Sequence, residues 1–298
     1  MELYMSIFGK LQEKIAPVVV DISALVTRSR LGGPKVVKPL FRILRKRAAY
    51  LPIERWATTR DGFKLPVTIN QLMDRELFFF GEWEPLFTRY MQDREKTDGI
   101  FLDCGSNIGY YTMIGSKRFE HVHAIEASPR IASRLSDILN KNSVKNVTVH
   151  NVAIGEELGE LEFFYDEKMP VRSSFFPTKT SVPDGRVSVL PLVEILDGID
   201  TKRIEFIKLD IEGFEASILS QIFDMKDSMS PKLEIVVEFS QLNKVKEGAQ
   251  PSWPMIKKMI DRDFDAFILE ESYNIDEYID LERRSSLKKN RARARVFL

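Results

Sequence analysis

The sequence predicts an α/β protein with an open parallel sheet and a ligand site at the carboxyl ends of its strands. Two segments support this class. Residues 100–109 combine a short apolar run with a glycine-rich turn, and residues 206–215 combine an apolar run with acidic residues and another glycine. Short apolar runs are typical of strands buried in parallel sheets, and open sheets of this type bind ligands outside the carboxyl ends of their strands.

The first segment predicts a small-molecule cofactor site. It reads Phe-Leu-Asp-Cys-Gly-Ser-Asn-Ile-Gly over residues 101–109. Gly105 and Gly109 bracket the turn, where glycine permits unusual backbone angles and leaves the main chain open to a ligand. A helix predicted over residues 109–117 would direct its first amides toward that ligand.

The spacing of this turn differs from two known nucleotide-binding patterns. A dinucleotide fingerprint carries a second glycine where this chain has Asn107, and no Lys-Ser or Lys-Thr pair of a phosphate loop follows. Asp103 precedes the turn, where a carboxylate would repel phosphate and attract an amine. S-adenosylmethionine (SAM) carries an ammonium group, a sulfonium and a carboxylate but no phosphate. The charge of Asp103 therefore favours SAM.

Glu126 ends the second predicted strand, which covers residues 122–125. An acidic residue about twenty positions after the first turn suits hydrogen bonds to the two ribose hydroxyls of an adenosine ligand. NAD and SAM both contain this ribose, so Glu126 does not choose between them. Ser128 and Pro129 then have the residue types of a helix start.

Residues 146–154 predict a third strand. Its end, Asn151-Val152-Ala153, is placed to line the adenine of the ligand. Adenine recognition often needs only backbone groups and an apolar face, so an ordinary core strand explains these residues equally well.

Acidic residues end the strand of the second segment. Asp210 and Glu212 follow the apolar run that contains Lys208, and Gly213 breaks the chain into a helix. Charges near the centre of a sheet need partners or ligands, which predicts a functional role for this group. The sheet geometry places Asp210 beside the first turn. Glu238, at the end of a later apolar run, is a weaker example of the same pattern.

These motifs resemble the FkbM family of SAM-dependent methyltransferases. The resemblance covers roughly residues 60–298 and rests on the order of five segments: Gly81-Glu82-Trp83-Glu84-Pro85, residues 103–112, Glu126, Asn151-Val152-Ala153 and residues 208–215. It implies a Rossmann-like class I methyltransferase fold, in which a seven-stranded, mostly parallel sheet has helices on both faces. It also implies O-methylation as the usual chemistry.

The resemblance also implies roles for single residues. The residues expected around the methionine part of SAM are Asp103, Gly105, Ser106, Asn107 and Gly109. Glu126 would bind the ribose, Asn151-Val152-Ala153 would line the adenine, and Asp210 would face the methyl-transfer site. Ser173 and Ser174 match a small polar pair that the family often carries before its fourth strand.

The sequence leaves the identity of the general base open. His121 and His123 lie at the start of the second strand, at the wrong end of the sheet, and His150 is a weak candidate. The remaining candidates for base, acceptor-orienting residue or metal ligand are Lys208, Asp210, Glu212 and Glu238.

A divalent metal is conceivable but not favoured. Asp210, Glu212 and Glu238 could offer oxygen ligands to magnesium. Lys208 can pair with the same acids, which explains the group without a metal.

Length and composition set the domain organisation. The chain has 298 residues, of which 44% are hydrophobic and 30% charged. These values agree with the methyltransferase domain that the resemblance implies, which we place over residues 53–298, behind a basic helical N-terminal extension over residues 1–52. The single cysteine excludes an intramolecular disulfide and suits a reducing compartment. We expect a cytoplasmic protein, peripheral to a membrane if the extension binds lipid.

The net charge of zero conceals an asymmetry. Residues 1–60 carry 12 Lys and Arg against 4 Asp and Glu, so their net charge of +8 is balanced by −8 in the remainder. Apolar residues recur at helical spacing over residues 3–15 and 36–44. Basic amphipathic helices bind anionic membranes or receive a partner; we favour docking on the catalytic domain or dimerisation. No binding module for nucleic acid accompanies the basic stretches, so we do not expect nucleic acid as a partner.

Two other functions stay open. A metal-dependent sugar-nucleotide glycosyltransferase would use Asp210 and Glu212 in a metal-diphosphate motif, but Asp103 and the missing phosphate-binding features argue against it. A non-catalytic interaction protein with the SAM-binding fold would act through its basic N-terminus. The leading prediction is O-methylation of a hydroxyl on a sugar, a glycan or a small-molecule metabolite.

Overall fold

The computed structural model describes residues 17–29, 53–166, 181–211, 214–237, 252–262, 264–267 and 295–297. The chain divides into two compact units. Among the described residues, the first unit contains 17–29 and 53–89, and the second contains those from 90 onward. The predicted domain boundary between residues 52 and 53 stays a prediction, and the helices predicted over 3–15 and 36–44 lie outside the described residues.

The first unit combines helices with a β-hairpin. Its elements are α1 (17–29), β1 (Glu54–Thr58), β2 (Lys64–Thr68), α2 (Leu72–Phe80) and α3 (Pro85–Gln92), the last of which continues into the second unit. Residues 60–62, Arg-Asp-Gly, have the residue types of a hairpin turn, and β1 and β2 pair antiparallel on either side of them. Across the described ranges, no helix combines the length and the hydrophobicity that crossing a bilayer requires.

The second unit alternates strands and helices. In chain order it contains β3 (Ile100–Cys104), α4 (Tyr110–Ser116), β4 (His121–Ile125), α5 (Pro129–Lys141), β5 (Val147–His150), β6 (Ala153–Ile154), β7 (Gly159–Asp166), β8 (Ser181–Leu190), α6 (Leu192–Ile195), β9 (Ile204–Leu209), α7 (Glu215–Asp224), β10 (Glu234–Val237), α8 (Trp253–Ile260), β11 (Asp265–Phe267) and β12 (Arg295–Phe297). This alternation confirms the predicted α/β class.

Seven of these strands form one sheet in the order β11-β12-β10-β9-β3-β4-β5, and each neighbouring pair is parallel. The seven-stranded sheet is the one that the resemblance implied. From β3 the chain builds outward through β4 and β5, and then returns to place β9 on the other side of β3. This reversal is a topological switch point, where open sheets bind ligands.

The core lies on both faces of the central strand. Phe101 of β3 packs against Phe206 and Phe119, with ring centroids 5.3 Å and 5.5 Å apart. Leu102 and Cys104 point to the opposite face and join an apolar cluster that includes residues of α7. All five residues of β3 are buried, as its apolar run predicts.

The predicted third strand is broken in two. β5 extends the seven-stranded sheet, whereas β6 pairs with β8 in a separate three-stranded sheet. Asn151 lies at the break, and its side-chain amide donates hydrogen bonds to the carbonyls of Glu126 and Ala127, at 2.9 Å and 3.1 Å. These bonds hold the chain in a bend, so the prediction of one continuous strand is wrong.

The sequence predicts residues 159–165 as one strand of an inserted hairpin, and the structure confirms this prediction. β7 pairs antiparallel with β8. The sequence predicts a loop over residues 166–187, but residues 181–187 belong to β8. Val187 and Val189 are buried against Phe163 and alternate with less buried neighbours, which favours a strand. Residues 167–180, which include Ser173 and Ser174, lie outside the described residues.

Candidate functional site

The turn between β3 and α4 curls across the ends of β3 and β4. The backbone amides of Gly105 and Ser106 both donate to the carbonyl of Ile125, at 2.9 Å and 3.1 Å. Gly105, Asn107 and Gly109 adopt positive φ angles of 76°, 50° and 82°. Glycine reaches this region without strain, and asparagine enters it more readily than most residues do. The residue types of the turn thus match its backbone.

Gly105 connects the two sequence motifs. A Cβ atom at this position would lie 1.8 Å from the backbone carbonyl oxygen of Asp210. The amide of Asp210 donates to the carbonyl of Cys104 at 3.1 Å. At Gly109, a Cβ atom would lie 2.2 Å from a methyl group of Leu135. From the sequence we expected these glycines to leave space for a ligand, but protein atoms fill that space.

Asp103 is a buried carboxylate with one unsatisfied oxygen. Its Oδ2 accepts a hydrogen bond from the Thr112 hydroxyl at 2.5 Å, and its Oδ1 lies 3.8 Å from the ammonium of Lys208. Among the described residues, Oδ1 has no hydrogen-bond partner. Burial raises the pKa of Asp103, and Lys208 and Thr112 oppose this rise. A donor on a bound ligand would satisfy Oδ1.

Lys208 bridges the two acids that the sequence places in the site. It is the partner of Asp103 in the β3–β9 register. Its ammonium lies 3.0 Å from Asp210 Oδ2 and 3.4 Å from the carbonyl of Gly105. It also lies 5.6 Å from the centre of the Tyr111 ring. The structure therefore brings Asp103, Lys208 and Asp210 together, as the sequence predicts.

Glu126 fastens the turn to the start of α5. Its Oε2 accepts from the amide of Asn107 and its Oε1 from the amide of Ser128, both at 2.9 Å. Burial raises the pKa of Glu126 to about 7, although the two backbone hydrogen bonds lower it. The carboxylate is placed at the end of β4, where the sequence predicts ribose binding.

The other predicted wall of the site is Asn151-Val152-Ala153. The amide of Asn151 bonds to the carbonyl of Glu126, so this segment adjoins the end of β4. Val152 packs against the apolar core, and Ala153 begins β6. A role in lining adenine stays a prediction.

Asp184 is a polar residue of this region that the sequence does not reveal. It lies in β8, and its carboxylate accepts hydrogen bonds from the Ser128 hydroxyl and from Arg130, the latter at 3.1 Å. The Ser128 hydroxyl also accepts from the amide of Ile131 and so caps α5, as predicted. Asp184 falls in the stretch predicted as a loop, and 56 residues separate it from Ser128. No local pattern could have paired them.

Glu212, Gly213 and Glu238 lie outside the described residues. Among the residues that are described, no group of three or more His, Cys, Asp or Glu side chains is arranged to hold a metal ion.

The histidines form a group of their own on β4 and β5. Nδ1 of His123 and Nε2 of His150 lie 2.9 Å apart, and Nε2 of His121 lies 2.9 Å from the Thr148 hydroxyl. Burial and the neighbouring imidazoles lower the pKa of His123 to about 4. Burial also lowers the pKa of His150. His123 and His150 are therefore neutral at pH 7, and they bond to each other.

Comparison with known proteins identifies the family. The model of the methyltransferase FkbM domain matches residues 103–275, more than half of the chain. The chain belongs to the FkbM methyltransferase family. This confirms the resemblance seen in the two motifs.

Individual relatives of this FkbM family member are distant. Methyltransferase 1 of Beauveria bassiana is 24% identical over 148 residues, which cover 43% of this chain and 59% of that protein. The chain thus matches less than two thirds of the relative's length. A solved methyltransferase FkbM from Methylobacillus flagellatus is 20% identical, with a TM-score of 0.35, over 69% of this chain and 45% of that chain. TYW2 from M. jannaschii, solved with AdoMet, is 12% identical, with a TM-score of 0.34, over 60% of this chain and 59% of that chain.

Replacing Gly105 by alanine should destabilise the protein through its contact with Asp210. Gly198 is a matched control, because its φ is 75° and a Cβ atom there would meet nothing within 4 Å. We expect Gly198→Ala to lower the free energy of unfolding by about 1 to 2 kcal/mol, the cost of a left-handed alanine. Gly105→Ala should lower it by at least about 2 kcal/mol more, because backbone must move. Urea unfolding measures both values, and equal losses would contradict the packing role.

The raised pKa of Glu126 should make stability depend on pH. Because the folded pKa of about 7 exceeds the ordinary value of 4.5, this group stabilises the fold below pH 4.5 and loses that contribution as the pH rises through 7. The loss should be on the order of 3 kcal/mol relative to Glu126→Gln, which does not titrate. Urea unfolding of both proteins between about pH 5 and about pH 8 tests this. Parallel pH profiles would show that Glu126 titrates normally.

Proposed function

We propose that the chain is a SAM-dependent O-methyltransferase. Membership of the FkbM family supports methyl transfer. The main support for SAM as the methyl donor is the buried Oδ1 of Asp103. This oxygen has no hydrogen-bond partner among the described residues and lies beside the switch point of the sheet. An ammonium group is the ligand donor that best matches a buried carboxylate oxygen.

The residues around the first turn fit the rest of the donor. The Ser106 hydroxyl is buried, has no partner among the described residues, and can donate to a carboxylate. Glu126 keeps lone pairs beyond the two amide bonds it accepts, and these can accept from ribose hydroxyls. The ammonium group of the ligand would face Asp103 and its ribose hydroxyls would face Glu126, and no phosphate would have to approach these acids.

The chain itself must position the acceptor and take up its proton. SAM, when bound, supplies a methyl group that its sulfonium makes electrophilic. Holding an acceptor hydroxyl in place is worth about 7 to 11 kcal/mol of barrier in favourable cases. Asp210 is the candidate proton acceptor, because 38% of its side chain is exposed while its Lys208 partner is buried. Lys208 orients the Asp210 carboxylate from the protein side.

The family membership favours methyl transfer over the two other functions considered from the sequence. A sugar-nucleotide transferase would have to place a diphosphate near Asp103, Glu126 and Asp210, and like charges would repel it. The proposed acceptor is a hydroxyl on a sugar, a glycan or a small metabolite, and this choice rests on the resemblance. The proposed location is the cytoplasm.

Asp103→Asn should weaken SAM binding by at least about tenfold, because the charge-assisted hydrogen bond to the ammonium is lost. Titration calorimetry with SAM measures the affinity. Glu120→Gln is the control, since Glu120 is an exposed acid that precedes β4 at the opposite end of the strand. An Asp103→Asn protein that stays folded and binds SAM like the wild type would refute the assignment of the donor site.

Asp210→Asn should reduce turnover by roughly 10²- to 10⁴-fold and change SAM affinity much less, because it removes a general base. The acceptor can be found by incubating the protein with methyl-labelled SAM and an extract of its native cell, followed by mass spectrometry. The rate of labelling is then compared between the two proteins, and calorimetry gives their SAM affinities. Undiminished labelling would exclude Asp210 as the base.

A further inference from the structure

The helix α1 exposes most of its large apolar side chains and buries mainly smaller residues. Its buried positions are Val20, Ser23, Ala24 and Thr27, which recur at helical spacing. Its exposed large apolar residues, named here the outward face, are Val18, Val19, Ile22 and Leu25. A helix that packs on a protein in water normally does the reverse. The outward face therefore needs an apolar environment that the described part of the chain does not provide.

Specific hydrogen bonds fix α1 in this orientation. The Thr27 hydroxyl donates to the carbonyl of Phe79 at 2.8 Å. The guanidinium of Arg28 donates to the carbonyls of Phe78 and Leu77 at the end of α2, at 2.7 Å and 2.9 Å. Rotating α1 to bury its large side chains would break these bonds. These hydrogen bonds therefore keep the outward face of α1 exposed.

The one acidic residue of α1 is neutralised within the same unit. Asp21 pairs with the guanidinium of Arg55 in β1, at 2.9 Å. Residues 1–60 carry 12 basic against 4 acidic side chains. Trp56 and Leu72 add further exposed apolar side chains to this unit. An apolar helix face within a basic segment has the composition of helices that lie on anionic bilayers.

We propose that the outward face of α1 inserts into the surface of an anionic lipid bilayer. Charge decides between this occupant and a second copy of the chain. Two copies meeting through α1 would bring two segments of +8 together, whereas an anionic bilayer attracts them. The surface belongs to the first unit, so it does not depend on the proposed function.

Sedimentation with lipid vesicles tests the proposal on the full chain without SAM. Vesicles of phosphatidylcholine with phosphatidylglycerol should bind the wild-type protein, and vesicles of phosphatidylcholine alone should bind it weakly. Leu25→Asp should reduce binding to the anionic vesicles by at least about tenfold, because a leucine side chain is no longer transferred from water. Leu158→Asp is the matched control, since Leu158 is 68% exposed in the second unit and Leu25 is 65% exposed. It should bind like the wild type.

A second measurement separates insertion from adsorption by charge alone. Because the chain already contains three tryptophans, quenching is compared with that of the wild type. Brominated phosphatidylcholine in the anionic vesicles should quench the Leu25→Trp protein more than the wild type, and the Leu158→Trp protein no more than the wild type. The proposal is overturned if the wild type does not sediment with anionic vesicles, if Leu25→Asp and Leu158→Asp bind equally, or if the Leu25→Trp protein is quenched no more than the wild type. It is also overturned if ultracentrifugation shows a dimer that Leu25→Asp dissociates and vesicles are not bound. Thermal unfolding confirms beforehand that each variant is folded, and Leu25→Ser replaces Leu25→Asp if the latter is not.

Discussion

The candidate site depends on one backbone contact, between Gly105 and the carbonyl of Asp210. No side chain can stand between them, so the turn after β3 and the end of β9 are held at a fixed separation. Lys208 reinforces this junction by bonding the Gly105 carbonyl and the Asp210 carboxylate. Asp103 is the strand neighbour of Lys208. The sheet itself therefore positions Asp103 and Lys208, and Asp210 follows directly after β9.

The charges of the site explain what kind of ligand it favours. Burial raises the pKa of both Asp103 and Glu126, which means that the folded state is less stable when either carboxylate is ionised than when it is protonated. Lys208 offsets part of this cost, since it lowers both pKa values. A ligand with an amine and sugar hydroxyls would offset more of it, whereas a phosphate would add to it. This balance supports SAM as the methyl donor.

The sequence predicted those features that local chemistry controls. The apolar runs gave the buried strands β3, β4 and β9, and Ser128 with Pro129 marked the start of α5. Features that depend on distant partners were not predictable. The bend at Asn151 depends on carbonyls of the preceding loop, and Asp184 meets Ser128 across 56 residues. Glycine at position 105 was expected to give a ligand access to the main chain. Its packing role was not predictable, because the carbonyl that fills its space comes from the second motif.

The junction of Gly105 with Asp210 also has a consequence for how the site forms during synthesis. The turn at residues 103–109 leaves the ribosome about a hundred residues before its partner does, so the nascent chain carries half of a site for that interval. Contacts between such distant segments form late, because a long loop must first be closed. A chain that ends before β9 cannot complete the site, even though it contains the whole glycine-rich turn. The site is therefore complete only after β9 has paired with β3.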